Sequence, residues 1–196
     1  MSWVFGQDQD SVTINSSKLN IKFWDGDFNL SLAPVFLNQF SEGIIEIEVP
    51  EKICDPDEFG TWANSIAFPA PIFPDPPEWK KYEAYRCGNI QYKASVGDVS
   101  VNADGADVSS CRLLDCKYTT GEPIALYVKC GPDFIIAETE DEFVKYGNVI
   151  SDPNTPAVGL LVITNKDASV PCLTQLLTDR VSKFSISVQP EEPQQA

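Results

Sequence analysis

Apolar residues recur at every second position through much of this chain, and that alternation constrains the fold more than any other feature. Leu19, Ile21 and Phe23 alternate with Lys18, Asn20 and Lys22. Phe28, Leu30 and Leu32 repeat the pattern, as do Ile45, Ile47 and Val49 against Glu46 and Glu48. Ile90, Tyr92, Ala94 and Val96 follow it, then Ile124, Leu126 and Val128, and finally Phe184, Ile186 and Val188. Each run predicts a half-buried strand, because successive side chains of a strand point to opposite faces. Strands with one wet face belong mostly to antiparallel sheets. Residues 157–163 are more continuously apolar and predict a central strand covered on both sides.

Turn residues separate these runs. Asp25-Gly26 and Asp104-Gly105 both predict hairpin turns, and Thr120 to Pro123 and Gly131 to Asp133 bound the strand between them. Helical spacing is confined to short stretches. Phe59, Trp62 and Ile66 share a face within residues 57–67, and Trp79, Tyr82 and Tyr85 lie three apart within 78–86. Residues 140–146 follow a capping Thr139, and 171–180 open on Pro171 and carry Leu173, Leu176 and Leu177 on one face. The expected fold is mainly β: an antiparallel β-sandwich or barrel with a few short helices and a proline-rich extended arm.

The arm is the stretch that differs most from the rest. Residues 69–77 hold five prolines in nine positions, which exclude helix and central strand. A polyproline-like segment there displays Phe68, Ile72, Phe73 and Trp79, large side chains of the kind that anchor interfaces. The predicted organisation is one β-rich domain over residues 1–188, with 68–79 as its arm, and a polar tail over 189–196.

Charge narrows the partners. Asp plus Glu number 29 against 14 Lys plus Arg, giving a formal net charge of −15, and the three arginines are Arg86, Arg112 and Arg180. Nucleic-acid binding draws on cations that displace condensed counterions, and the one adjacent basic pair, Lys80-Lys81, is a small footprint. No nucleic-acid contact and no membrane contact are expected. Met1 to Asp8 has neither the cationic start nor the apolar stretch of a signal peptide, so a cytoplasmic origin is expected. In that setting Cys54, Cys87, Cys111, Cys116, Cys130 and Cys172 read mostly as thiols, with a disulfide or two formed after release from the cell as the alternative, and their spacing does not match a zinc site.

Several chemistries are excluded or weak. Without histidine, Ser-His-Asp and Cys-His arrangements cannot form within the chain, nor can the usual histidine-bearing metal sites. No phosphate loop, nucleophile elbow or dinucleotide fingerprint occurs. Asn102, Asp104 and Asp107 around Gly105, and Asp25 and Asp27 around Gly26, have oxygen ligands for calcium, but ordinary turns explain them more simply. Trp24 beside those aspartates suits a sugar cleft less well than a packed hairpin. Carboxylate pairs stay open, since sequence does not give their separation.

These readings converge on a non-enzymatic structural subunit of a larger assembly. Its expected setting is a virion, as a bacteriophage tail, neck or capsid-decoration protein. Its expected partners are copies of itself and other structural subunits, contacted through Phe68, Ile72, Phe73 and Trp79, with no cofactor, catalytic or metal residues. The alternatives are a carbohydrate- or protein-binding β module and, behind it, a carboxylate-based hydrolase.

Overall fold

The computed structural model describes residues 2–5, 10–15, 18–21, 42–119 and 133–191. The chain divides into two compact units, Met1–Ser41 and Glu42–Ala196. In the first, β1 (Ser2–Phe5), β2 (Asp10–Asn15) and β3 (Lys18–Ile21) form an antiparallel sheet in the order β1-β2-β3. The start of the Leu19 alternation is thus a strand. The Phe28 and Ile124 runs, the Asp25-Gly26 turn and Trp24 lie outside the described residues.

The second unit is mixed α/β. Its larger sheet has the order β11-β4-β10-β9-β8, formed by β4 (Gly43–Glu48), β8 (Gly105–Asp107), β9 (Arg112–Lys117), β10 (Gly159–Thr164) and β11 (Ser187–Glu191). A smaller antiparallel sheet, β5-β6-β7, holds β5 (Ala67–Pro69), β6 (Ile90–Val96) and β7 (Val99–Ala103). Among the described residues, four α-helices accompany them: α1 (Pro56–Ile66), α2 (Glu78–Cys87), α3 (Asp133–Ser151) and α4 (Val170–Val181).

This overturns the expected sandwich or barrel. β9 and β10 are parallel, and a parallel pair needs a crossover, which here contains the 19-residue α3. Helices α3 and α4 contribute Phe143, Tyr146, Val149, Leu173, Leu177 and Val181 to the same buried core as Ile45, Ile47, Leu113 and Leu160. A strand buried on one face shows the same alternation whether a second sheet or a layer of helices covers it, so the pattern alone could not separate the two. The continuous apolar run is, as expected, a central strand. Leu160 of β10 lies between Ile47 and Leu113, and Val162 between Ile45 and Asp115.

Local chemistry explains the boundaries. Asp55 caps α1, its carboxylate accepting from the N–H groups of Asp57 at 3.0 Å and Glu58 at 3.2 Å, with Pro56 in the first turn. Gly88, at φ +84°, closes α2 by donating to the Ala84 carbonyl. The alternation at Phe184 ends differently: residues 182–184 make a 3₁₀ turn, Ser185 is left-handed, and the strand begins at Ser187. The proline-rich arm also differs from expectation at its start. Ala67–Pro69 pairs with β6 as an edge strand, and the Ala70 N–H donates to the Asn89 carbonyl, so this part does join a ladder.

The cysteines are corrected as well. Cys54 is bonded to Cys111 and Cys87 to Cys116; Cys172 is also in a disulfide, and no described cysteine is a free thiol. The two bridged pairs are 57 and 29 residues apart in the chain, so only the folded backbone brings them together. Both bridges fasten β9, one just before its first residue and one within it.

Candidate active site

Strand β9 reads Arg112-Leu113-Leu114-Asp115-Cys116-Lys117. Leu113, Asp115 and Lys117 share one face by the two-residue period, and that face meets the core. Leu113 is fully buried and Asp115 is 1% exposed. An acid and a base therefore occupy positions where the rest of the face is hydrocarbon. Lys117 Nζ donates to Asp115 Oδ1 at 3.0 Å and to Glu142 of α3. The neighbouring Oδ2 of Asp115 lies 3.0 Å from the same ammonium but receives no hydrogen bond.

Asp104 joins the cluster from the adjoining strands. The expected hairpin at Asp104-Gly105 is absent: the chain leaves β7 in one sheet and enters β8 in the other at this residue. The change of sheet turns the Asp104 carboxylate toward β9, where Oδ2 accepts the Cys116 N–H at 2.8 Å. Gly105 permits the close approach, since a Cβ there would come within 3.1 Å of the Cys87 Cβ. Asp107 does not join them. It closes its own turn, accepting from the Ser109 N–H and the hydroxyls of Ser109 and Ser110. This is the ordinary turn role expected of it.

Helix α2 supplies the third side. Lys80 and Glu83, one turn apart, form an ion pair in which both side chains are buried, and Cys87 follows on the same face. Gln91 of β6 completes the join, its Nε2 lying 3.0 Å from Glu83 Oε1 and 3.5 Å from Asp104 Oδ1. Beneath the cluster, buried Tyr146 donates to the Asn102 carbonyl at 3.3 Å. Burial holds its phenol well above the ordinary range, and Asp115, Glu142, Asp104 and Glu83 all push it the same way. Four carboxylates thus lie around this buried phenol.

Their crowding has a clear electrostatic signature. Burial raises the Asp104 carboxyl to about 6, with Glu83 adding to the effect. Burial raises Asp115 to about 8; Lys117 opposes this, and Glu142 and Asp104 reinforce it. Burial alone would depress Lys117, but Asp115 and Glu142 outweigh it and hold the ammonium charged. The site has excess negative charge in a low-dielectric surround.

Such a donor set fits a hard divalent cation. Its ligands are oxygens, one buried carboxylate oxygen lacks a hydrogen-bond donor, and a dication would relieve the repulsion between Asp104 and Asp115. Among the described residues, no group of three or more His, Cys, Asp or Glu could hold a metal. Two carboxylates are sufficient for Mg²⁺, which commonly completes its shell with water and substrate phosphate.

A cleft of about 480 Å³ lies beside the cluster, lined by Lys93 and Asn102 of the β6–β7 hairpin and by Glu138, Glu142 and Lys145 of α3. The residues expected to make contacts lie elsewhere. Phe68 is in β5, paired with Gln91. Ile72 is 94% exposed, and Phe73 and Trp79 pack edge to face with centroids 6.0 Å apart. None of the four side chains hydrogen-bonds to the cluster, and the Trp79 ring centroid lies 5.8 Å from Lys80 Nζ. The missed residues did leave one signal: on β9 the apolar face begun by Leu113 turns charged at Asp115 and Lys117.

A family model described as restriction endonuclease fold toxin 2 matches residues 78–181, just over half of the chain. No curated protein and no solved structure matches it. The match overturns the expectation of a non-enzymatic virion part, since this family points to nuclease activity and nothing here is specific to a virion or structural protein. The matched span runs from the first residue of α2 to the last of α4 and holds every member of the polar cluster; the chain belongs to the restriction endonuclease fold toxin 2 family.

Proposed function

We propose that this chain is a cation-dependent nuclease toxin that hydrolyses phosphodiester bonds at the Asp104, Asp115 and Lys117 cluster. The observation that carries this reading is the placement of Asp115 and Lys117 on one core-facing strand surface, with Asp104 bonded to the backbone between them. In the reaction a water oxygen forms a bond to phosphorus, an ester P–O bond breaks, and a proton reaches the leaving oxygen. A divalent cation, when bound, supplies Lewis-acid polarisation of the phosphoryl oxygen. Lys117, held between Asp115 and Glu142, presents a fixed positive charge to an anionic phosphate. Asp104 is raised to about 6 while the cation is absent, and a bound cation would keep it ionised as a ligand.

This reading and the expected lack of nucleic-acid contact exclude one another, and the cluster favours the nuclease. The net charge of −15 then implies weak, salt-sensitive binding away from the site, with Lys93 and Lys145 as local cations beside it. The disulfides favour an oxidising compartment over the expected cytoplasmic one. The Ile72, Phe73 and Trp79 strip remains a proposed protein-contact surface, apart from catalysis; Phe73→Ser with Trp79→Ser should leave cleavage intact, and loss of cleavage in a folded variant would remove that separation.

Incubation of the purified protein with plasmid DNA and with RNA, in Mg²⁺ or Mn²⁺ and in EDTA, tests the function. Cleavage should need the cation and should fall by a factor of about 10³ or more in Lys117→Met and in Asp115→Asn. Cleavage by Lys117→Met at the wild-type rate would refute the assignment.

A further inference from the structure

Among the described residues, Gln91 is the one neutral side chain that bonds to two of the clustered carboxylates. It sits near the start of β6, opposite Phe68 of the edge strand, and is half-buried. Its Nε2 donates to Glu83 Oε1 at 3.0 Å and reaches Asp104 Oδ1 at 3.5 Å. Turned the other way, the amide would aim its oxygen at two carboxylates, so the bonds themselves determine its orientation. The other oxygen of Asp104 is engaged by the Cys116 N–H. Both oxygens of Asp104 are therefore held, one from β9 and one from β6.

We propose that Gln91 is a positioning residue for the cation site, holding Asp104 and Glu83 at a fixed separation and rotation; this rests on the nuclease reading above. A lysine in its place would hold the carboxylates equally close but would neutralise charge that the cation needs. An amide supplies donors with no net charge. Lys80 already provides a cation to Glu83 on the same oxygen, Oε1, from within α2. Gln91 is what connects that pair to Asp104, across from helix to sheet. Residues that orient a ligand in this way commonly alter metal affinity by 10- to 100-fold when replaced.

A simpler role, stitching β6 to α2, predicts an altered melting temperature without a change in cation affinity. The two roles separate in calorimetric titration of the full chain with Mn²⁺, alongside melting in EDTA. Gln91→Met keeps the length and Gln91→Leu the approximate bulk, and both remove the donors without adding charge. Both should bind Mn²⁺ at least 10-fold more weakly than wild type, while Gln91→Met melts in EDTA within a few degrees of it. Wild-type Mn²⁺ affinity in either folded variant overturns the proposal. If the wild-type chain itself neither binds Mn²⁺ nor cleaves, the nuclease reading falls as well; if it does both and the variants match it, only the role of Gln91 falls.

Discussion

Replacing Asp115 with Asn should abolish cleavage and at the same time stabilise the cation-free protein at alkaline pH. Asp115 is fully enclosed, and its carboxyl is raised from 3.8 to about 8, first by burial and then, against Lys117, by Glu142 and Asp104. The folded chain therefore holds this proton more tightly than the unfolded chain does. The associated stability is complete below the unfolded value and is lost as pH rises through the folded one. Between pH 6 and pH 8 the loss amounts to about 2 kcal/mol, at roughly 1.4 kcal/mol per proton per pH unit with the curve flattening near the folded value. For a chain of this size that is about 4–8 °C in melting temperature. Asn cannot titrate, and Lys117 keeps Glu142 as its partner, so the variant should lack this component. Asp104, raised to about 6, titrates in both proteins and largely cancels in the comparison. The assay is thermal melting of both proteins in EDTA from pH 6 to pH 8, followed by addition of Mg²⁺ at pH 8. The wild-type curve should fall relative to the variant's as pH rises, and Mg²⁺ should raise only the wild type substantially. Parallel curves would refute the claim that a buried, crowded carboxylate lies at the centre of the site.

Two further effects follow from contacts away from the cation site. Reduction should destabilise the fold strongly, by roughly 4 kcal/mol for each bridge in the chain-entropy account, given sequence separations of 57 and 29 residues. Cys87–Cys116 ties α2 to β9, so its reduction should also slow cleavage; an unchanged melting temperature in reductant would contradict both statements. Lys52 donates to the carbonyls of Asp152 at 2.6 Å, Thr155 at 2.7 Å and Ala157 at 3.1 Å, closing the segment before β10. Lys52→Met should lower stability by about 2 kcal/mol without altering Mn²⁺ affinity, as read by denaturant melts and calorimetry. Wild-type stability in that variant would show that water replaces the ammonium at no cost.

Sequence by itself determined the local elements. The alternation at Ile45 and Ile90 predicted strands, and the continuous run at 157–163 predicted the strand now seen at the middle of the larger sheet. The spacing of Phe59, Trp62 and Ile66, that of Trp79, Tyr82 and Tyr85, and the Leu173 and Leu177 face marked helices that exist. These features follow from backbone sterics, capping and side-chain period, which act over a few neighbouring residues. Only the tertiary structure decided what covers the sheet, which cysteines pair and what Asp104 does. Asp104 read as a turn residue because Asp-Gly is a turn dipeptide; its carboxylate acts on β9 because the chain changes sheets there. Asp115 and Lys117 were not picked out from the sequence, and their meaning depended on Glu83, Gln91 and Glu142, brought in from other elements. A single carboxylate beside leucine is only an oddity, and several brought near one another in a low-dielectric core shift each other's protonation, because Coulomb interactions depend on distances that the order of residues does not contain.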